Sequence, residues 1–334
     1  MDSYSPDDNS ETPRGGPPAG EPNPYASPQS ADSEFVAVDV VAEPPHTAPA
    51  RRTSRLRIWL PVALFVATCL STWFVGSLLP VASNLNRGIA YPILLGVLEG
   101  LKYAVPLMTI LICHEMGHFL QARRYRVPAT LPFFIPMPIP PLGTMGAVIA
   151  MDARMGDRRA LFDIGISGPL AGLVPTMIFC TVGIYLSGYV PGRDIYGYPL
   201  LFQWLADGIL GPKPPGQCIH PHPMAFAGWV GLLLTALNLM PIGQLDGGHI
   251  LYGLLRKKAF PVAVTLLYGA VAVVIFMGLM QWSLMLILLM LIGARHPPTA
   301  DDDVPLGFGR TVLGCLALAF IPIGFTPTPF VFPQ

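Results

Sequence analysis

Residues 106–126 read PLMTILICHEMGHFLQARRYR, an apolar run that carries the pattern HEMGH at 114–118 and ends in a basic cluster. Two histidines four residues apart lie on one face of a helix, so both imidazoles reach a single metal ion. The glutamate next to the first histidine is placed to accept a proton from water at that ion. Polar groups are costly in an apolar helix unless they serve a site. We therefore predict a metal centre built on His114 and His118, with Glu115 as the general base.

The composition of the whole chain indicates a membrane protein. Hydrophobic residues make up 52% of the 334 residues and charged residues 12%, with a mean hydropathy of +0.53. The charged fraction is about half that of ordinary soluble domains. Apolar runs near or above the length of a transmembrane helix, about 18 residues, recur along the chain. These features exclude a soluble globular enzyme and predict an all-α polytopic membrane protein.

Breaks in the apolar runs predict about six to seven transmembrane helices. The stretch 88–122 is too long for one span, and we expect a short interfacial or re-entrant piece followed by a helix from Pro106. Prolines and glycines between 128 and 150 favour extended or looped backbone. We therefore predict a re-entrant or short β segment near the active site. The other predicted spans are 58–80, 162–186, 225–240 continuing at 246–256, two within 260–294, and 307–325.

The ends of the chain differ sharply from this apolar middle. Residues 1–57 are rich in Pro, Ser, Asp and Glu, and we expect a disordered, acidic, Pro-rich cytosolic tail without a cleaved signal peptide. Residues 58–325 form the predicted transmembrane metallopeptidase domain, and 326–334 a short C-terminal tail. Basic residues concentrate on one predicted side of the membrane, which predicts a multi-pass protein with a cytosolic N-terminus. The basic residues on the other side are Arg87, Arg193 and Lys213.

A catalytic metal site needs a third protein ligand that leaves one position open. Every other glutamate precedes Glu115, so a downstream Glu ligand is excluded. The downstream candidates are Asp152, Asp157, Asp163, Asp194, Asp207, Asp246, His220, His222, His249, His296 and Asp301–Asp303. Asp246 stands out because it lies in NLMPIGQLDGGH at 238–249, where a helix breaks between two apolar segments. A carboxylate there is costly unless it is paired or binds a metal.

With these two motifs the sequence resembles the site-2 protease family of intramembrane zinc metalloproteases. HEMGH at 114–118 matches the family pattern H-E-x-G-H, and 238–247 matches N-x-x-P-x-x-x-L-D-G. GTMGA at 143–147 and GISGPLAG at 165–172 are similar to elements of the branch that includes chloroplast relatives. The resemblance covers about 88–325. The segments between the predicted spans are too short for a PDZ domain or a cystathionine-synthase-like domain, so the resemblance is to the branch without a PDZ domain.

The resemblance implies a function and a set of site residues. One zinc ion per chain would be held by His114, His118 and Asp246, with Glu115 as general base and Asn238 near the site to orient the substrate. The implied activity is cleavage of membrane-anchored protein substrates within the bilayer near the cytosolic leaflet, as in regulated intramembrane proteolysis. Protein substrate and lipid bilayer are the expected partners, nucleic acid is not, and the oligomeric state stays open.

Several secondary expectations accompany this interpretation. His249 follows Asp246 by three residues, so it either supports or replaces a ligand or makes a structural polar contact. Glycines in the 165–172 segment should permit close helix packing near the site. The segment Gly143–Met151 could offer a strand edge to an unwound substrate.

Two alternatives compete with this function. A non-hydrolytic metal-binding membrane protein, either a transporter or an inactive scaffold, would have no need of a base such as Glu115 beside its ligands. A membrane zinc peptidase of the Ste24 type would need a downstream glutamate, which the sequence lacks.

Overall fold

The computed structural model describes residues 56–84, 90–151 and 156–331, and these ranges are built mainly from helices. The helices are α1 (Leu56–Asn84), α2 (Ala90–Arg124), α3 (Arg158–Tyr185), α4 (Leu200–Leu210), α5 (Pro223–Asn238), α6 (Asp246–Leu255), α7 (Ala259–Phe276), α8 (Ser283–Ile292), α9 (Phe308–Ala319) and the short α10 (Ile321–Gly324). Single 3₁₀ turns at Arg256–Lys258 and Met280–Trp282 join α6 to α7 and α7 to α8. The predicted helical framework is confirmed. The predicted tail up to residue 55 and the candidate ligand Asp152 lie outside the described residues.

Several helices are suited to a bilayer. In the described ranges, four helical stretches are long and apolar enough to span it, namely Ile58–Leu78, Gly96–Arg124, Arg158–Tyr185 and Asp246–Phe276. Shorter apolar helices cover Leu200–Leu210, Pro223–Asn238, Met280–Ile292 and Phe308–Gly324. The chain is therefore a helical membrane protein with several candidate spans, and the finer count of six to seven stays a prediction.

Helix α2 departs from its expected start. It runs unbroken through Pro106, where we expected a helix to begin after a separate re-entrant piece. Proline costs a helix interior about 3 kcal/mol because it lacks an N–H and crowds the preceding turn. A frayed end would cost more inside a bilayer, where no water can satisfy the exposed backbone groups. Within this helix Lys102 Nζ lies 2.6 Å from Glu99 Oε1, so the two charges neutralise each other.

A short antiparallel hairpin occupies the proline-rich stretch after α2. Strand β1 (Phe133–Pro136) pairs with β2 (Thr144–Val148), with Phe133 opposite Val148. The short β segment predicted for this region is confirmed, whereas nothing in the described chain establishes a re-entrant segment. In the sequence, the hairpin follows α2, which carries the two motif histidines, and precedes α3. This connection to both helices brings it to the border of the site.

Helices α1 and α2 hold the turn of this hairpin. Ser71 Oγ donates a hydrogen bond to Gly143 O at 2.7 Å, and Tyr103 Oη donates one to Leu142 O at 2.7 Å. Gly143 has a φ of +80°, and a Cβ there would meet Thr72 Cα at 2.8 Å. The left-handed backbone and the close approach both require glycine. The hairpin is therefore fixed to the helices at its turn.

The core lies where α2, α3 and α5 pack together. Tyr103 and Leu107 of α2, Ile184 of α3 and Trp229 of α5 are all 0% exposed. At Gly228 of α5 a Cβ would meet the Sγ of Cys180 on α3 at 2.6 Å, so the two helices are in close contact. This packing fixes α2 and α3 against the helix whose end leads into the second motif.

The region between α3 and α5 contains regular elements, although we predicted none between the spans 162–186 and 225–240. Strands β3 (Gly188–Pro191) and β4 (Gln217–His220) pair antiparallel, and α4 lies between them in sequence. Residues near the C-terminus contact this region, where Gly197 N donates to Pro329 O at 3.1 Å. They also contact the 3₁₀ turn before α8, where Trp282 Nε1 donates to Pro327 O at 2.7 Å.

Candidate metal centre

Helix α2 holds the polar residues of the first motif inside the bundle. Because His114 and His118 are about one turn apart, their Nε2 atoms lie 3.2 Å from each other. His114 is 5% exposed and Glu115 4% exposed. At Gly117 a Cβ would meet Ser167 O of α3 at 2.5 Å. The glycine inside the motif thus lets α2 rest against α3 at the level of the two imidazoles.

The break between α5 and α6 brings Asp246 to the two histidines. Asp246 is the first residue of α6. Its Oδ2 lies 3.1 Å from His114 Nε2, and its Oδ1 lies 3.2 Å from His118 Nε2. The three potential ligand atoms all lie within 4.8 Å of one another. Among the described candidates for a third ligand, the structure groups Asp246 with the histidines.

Glycines on α3 make the space for these side chains. In each case a Cβ would meet a histidine: 2.0 Å from His118 Nε2 for Gly168, 3.0 Å from His114 Cβ for Gly172 and 2.7 Å from His249 Cβ for Gly165. The close packing predicted for this segment is confirmed. A Cβ at Gly168 would meet the nitrogen of His118 that faces Asp246. Any larger residue at this position would therefore occupy the space that the imidazole needs.

The donor chemistry fits zinc. His118 Nδ1 lies 2.7 Å from Ile164 O, and because a carbonyl only accepts, this nitrogen carries the proton. Nε2 of His118 therefore keeps its lone pair on the side of Asp246 and His114. Two imidazole nitrogens and a carboxylate oxygen are ligands that catalytic zinc sites use, and three protein ligands leave one position open. Zn²⁺ is thus the cofactor that this donor set implies.

A cavity of about 140 Å³ opens beside the donor group. It is bordered by the donor residues together with Glu115, and by residues of β2 and the segment after it: Ala147, Val148, Ile149 and Met151. Its volume exceeds that of one water molecule, about 30 Å³. Glu115 therefore shares one cavity with the donor group and with the edge of the hairpin.

Asn238 lies at the end of α5, next to the donor group. Its Nδ2 is 3.3 Å from His114 Nε2, and the residue borders the same cavity. The sequence-based expectation placed Asn238 near the site, and that is where the structure has it.

His249 borders the cavity but lies outside the three-residue donor group. Its Nδ1 lies 2.6 Å from Nε2 of His296, in the loop after α8. The structure thus gives His249 a polar contact with His296, and its role at the site stays a prediction. His296 was one of many downstream candidates, and nothing in the sequence pattern joined it to His249, because the two are 47 residues apart and meet only through the fold.

Several of the other described candidates make contacts of their own, and none of these belongs to the donor group. Asp163 accepts hydrogen bonds from Arg310 Nε at 2.7 Å and from Tyr125 Oη at 2.5 Å, Asp194 lies 2.5 Å from Lys213 Nζ, and Asp302 accepts from Tyr252 Oη at 2.7 Å. Asp157 caps the N-terminus of α3 through Ala160 N at 2.7 Å.

Comparison with known proteins points to one family. The model of Peptidase family M50 matches residues 102–279. "Probable zinc metalloprotease EGY1, chloroplastic" from Arabidopsis thaliana is 31% identical over 240 residues, which cover 68% of this chain and 43% of that protein. The protein of the same name from Oryza sativa subsp. japonica is 38% identical over 170 residues, covering 48% of this chain and 29% of that protein. "Probable zinc metalloprotease EGY2, chloroplastic" from Arabidopsis thaliana is 26% identical over 311 residues, covering 90% of this chain and 54% of that protein.

The family match includes all three residues of the donor group. The chain spans between 29% and 54% of the length of these relatives. No solved structure matches it. The matched region covers more than half of the chain and joins both motifs in one domain. The chain therefore belongs to Peptidase family M50, the site-2 protease family.

Proposed function

We propose that this chain is a zinc-dependent endopeptidase that cuts membrane-spanning protein segments near the cytosolic leaflet. The observation that carries the proposal is the buried group of His114, His118 and Asp246 with Glu115 in the same cavity. The names of the relatives, zinc metalloproteases, support the reaction class. The apolar helices that carry these residues support a reaction at membrane depth.

Three side chains would hold the ion. They are His114 and His118 through Nε2 and Asp246 through its carboxylate, whose atoms already converge. When bound, zinc supplies Lewis acidity toward the scissile carbonyl and the attacking water. His118 is held for this role by the hydrogen bond from its Nδ1 to Ile164 O, which fixes both the tautomer and the ring orientation.

Glu115 would carry the proton. Its carboxylate accepts a proton from the attacking water, whose oxygen bonds to the carbonyl carbon, and returns it to the leaving amide nitrogen as the C–N bond breaks. The same proton is therefore taken up and given back, and water is consumed. Asn238 has an amide beside His114 at the cavity edge, where it is suited to orient the substrate carbonyl.

The hairpin would present the substrate. A peptide bond inside a helix has its carbonyl engaged, so the segment must unwind before it can be cut. Within the described chain β2 pairs with β1 alone, and the cavity is bordered by residues 147–149 and Met151. An unwound segment that adds to this edge gains backbone hydrogen bonds and comes to lie beside Glu115.

The proposed depth and orientation follow from the charges. Helix α2 ends in Arg123 and Arg124, and Arg256–Lys258 follow α6. Basic residues favour the cytosolic side, and we propose that the N-terminus lies on that side as well. His118 is about 7 to 8 Å along the helix from Arg123, so the site would lie just below that surface.

The test uses the full chain in proteoliposomes with a panel of single-span reporter proteins. We expect wild type to bind about one zinc and to cut. Glu115→Gln should keep the zinc and lose cleavage by about a hundredfold or more, the usual contribution of a general base. Asp246→Asn should lose both.

Glu99→Gln is the matched control, because Glu99 pairs with Lys102 away from the cavity, and it should cut like wild type. Zinc-loaded wild type that cuts nothing across the panel would favour the non-hydrolytic alternative. Cleavage by Glu115→Gln at the wild-type rate would remove Glu115 from the chemistry.

A further inference from the structure

Two histidines outside the donor group join the active-site cavity to a second cavity. His249 borders the first cavity, next to the donor group. His296 borders another cavity, of about 290 Å³. The link between them is the contact of His249 Nδ1 with His296 Nε2 at 2.6 Å, and the two rings meet edge to face.

The protonation of His296 can be assigned from its neighbours. Its Nδ1 lies 2.6 Å from Pro297 O, and since a carbonyl only accepts, Nδ1 carries a proton. Burial lowers the pKa of this imidazole, and the contact with Pro297 O and the charge of Asp302 oppose that shift only in part. His296 is therefore neutral near pH 7, and its Nε2 holds a lone pair.

This assignment determines the tautomer of His249. Because His296 Nε2 can only accept, His249 Nδ1 must donate the hydrogen bond between them. Neutral His249 then keeps an unprotonated Nε2. His249 Nδ1 faces His296, and the side chain of His249 borders the cavity. We infer that Nε2, on the other side of the ring, is the nitrogen that faces the cavity.

The surroundings prevent the pair from rearranging. Tyr252 stacks on His296 with ring centroids 4.5 Å apart and 28° between the planes. Tyr252 Oη donates to Asp302 Oδ2 at 2.7 Å, and Thr299 Oγ1 donates to Asp302 Oδ1 at 2.6 Å. The backbone of Gly165 closes on His249 Cβ. A ring held by stacking, hydrogen bonds and packing keeps one orientation.

We propose that His249 Nε2 accepts a hydrogen bond from a backbone N–H of the substrate, and that His296 is the positioning residue that holds His249 in this acceptor state. An acceptor open to the cavity needs a donor, and an unwound peptide segment supplies free N–H groups. A role in donating to the developing oxyanion would require the opposite tautomer. The inference rests on the proposed function, because it takes a peptide to be the occupant of the cavity.

The tautomer is tested without any cleavage. Nitrogen-15 NMR of histidine-labelled full chain in detergent distinguishes protonated from unprotonated ring nitrogens, and His249→Phe and His296→Phe identify the signals. We expect Nδ1 protonated and Nε2 unprotonated in both residues. A protonated Nε2 on His249 would overturn the inference.

The substrate contact is tested kinetically on the zinc-loaded full chain. His249→Phe should keep its zinc and lower kcat/KM about tenfold, the effect of one hydrogen bond of about 1.4 kcal/mol. His296→Phe should show a similar loss, and His296→Gln, whose Oε1 can accept from His249, should recover most of it. His220→Asn, on β4 away from the cavity, is the control and should cut like wild type.

These experiments distinguish failure of the role given to His249 and His296 from failure of the proposed peptidase function. Loss of zinc in His249→Phe would make His249 a ligand and overturn the inference, as would cleavage at the wild-type rate. Failure of rescue by His296→Gln would reduce His296 to a packing residue. Absence of cleavage by zinc-loaded wild type would instead overturn the proposed function, whatever the histidine variants do.

Discussion

Gly168 is the residue at which the smallest change should disturb the metal centre most. An added Cβ would lie 2.0 Å from His118 Nε2, far inside any van der Waals contact, so either the imidazole or α3 must move. We expect Gly168→Ala to bind zinc at least tenfold more weakly than wild type, because catalytic ligands tolerate little displacement. Zinc content after dialysis against a graded chelator measures this.

Gly208→Ala provides the matched control. Gly208 lies on α4, and a Cβ there would meet no atom within 4 Å. Alanine also favours a helix over glycine by about 1 kcal/mol. This variant should keep its zinc and unfold no earlier than wild type. Full zinc retention by Gly168→Ala would mean that the packing of α3 does not set the position of His118.

At the residue scale, local patterns predicted most of the site. The spacing of His114 and His118 puts both on one helix face in any fold that keeps α2. Asp246 could be identified because a carboxylate between two apolar segments is costly unless it is paired or binds a metal. The pairing of His249 with His296 could not be predicted, because their contact depends on where a loop after α8 folds back. Pair contacts across loops leave no periodic signal in a sequence.

At the scale of elements, the β1–β2 hairpin links the bundle to the proposed substrate. Ser71 and Tyr103, 6% and 0% exposed, each donate a hydrogen bond to its turn. A net hydrogen bond contributes about 1 kcal/mol, and a buried carbonyl left unpaired costs somewhat more. We expect Ser71→Ala with Tyr103→Phe to lower kcat/KM about tenfold and to spread cleavage over neighbouring bonds, with zinc content unchanged.

Mass spectrometry of the reporter fragments reads this spread directly. Ser77→Ala is the control, since the Ser77 hydroxyl donates to Phe74 O within its own helix. A single cleavage position at the wild-type rate in the double variant would show that the turn anchors do not set the register of the β2 edge.

The elements themselves were predictable to different degrees. Prolines and glycines between 128 and 150 predicted extended or looped backbone, and the β1–β2 hairpin lies in this stretch. The prediction that a helix begins at Pro106 was wrong. In a bilayer, the cost of leaving backbone groups unpaired at a helix end exceeds the cost of a proline inside the helix. The structured region between α3 and α5 was missed because its short strands and α4 carry little periodic pattern of their own.

At the scale of the molecule, the proposed depth of the reaction depends on where the fold puts the donor group. Two of the three donor residues, His114 and His118, lie on α2, which ends in the basic residues Arg123 and Arg124. The helix rise places His118 about 7 to 8 Å from Arg123. Extended backbone advances about 3.3 Å per residue, so this depth corresponds to two or three substrate residues.

The most direct test of the whole account is the position of the cut in a single-span reporter, mapped by mass spectrometry of both fragments from wild type and from Glu115→Gln in proteoliposomes. The account predicts a wild-type cut inside the apolar span, within a few residues of its cytosolic end, and no such fragments from Glu115→Gln. A cut outside the span, or the same fragments from both proteins, would contradict it.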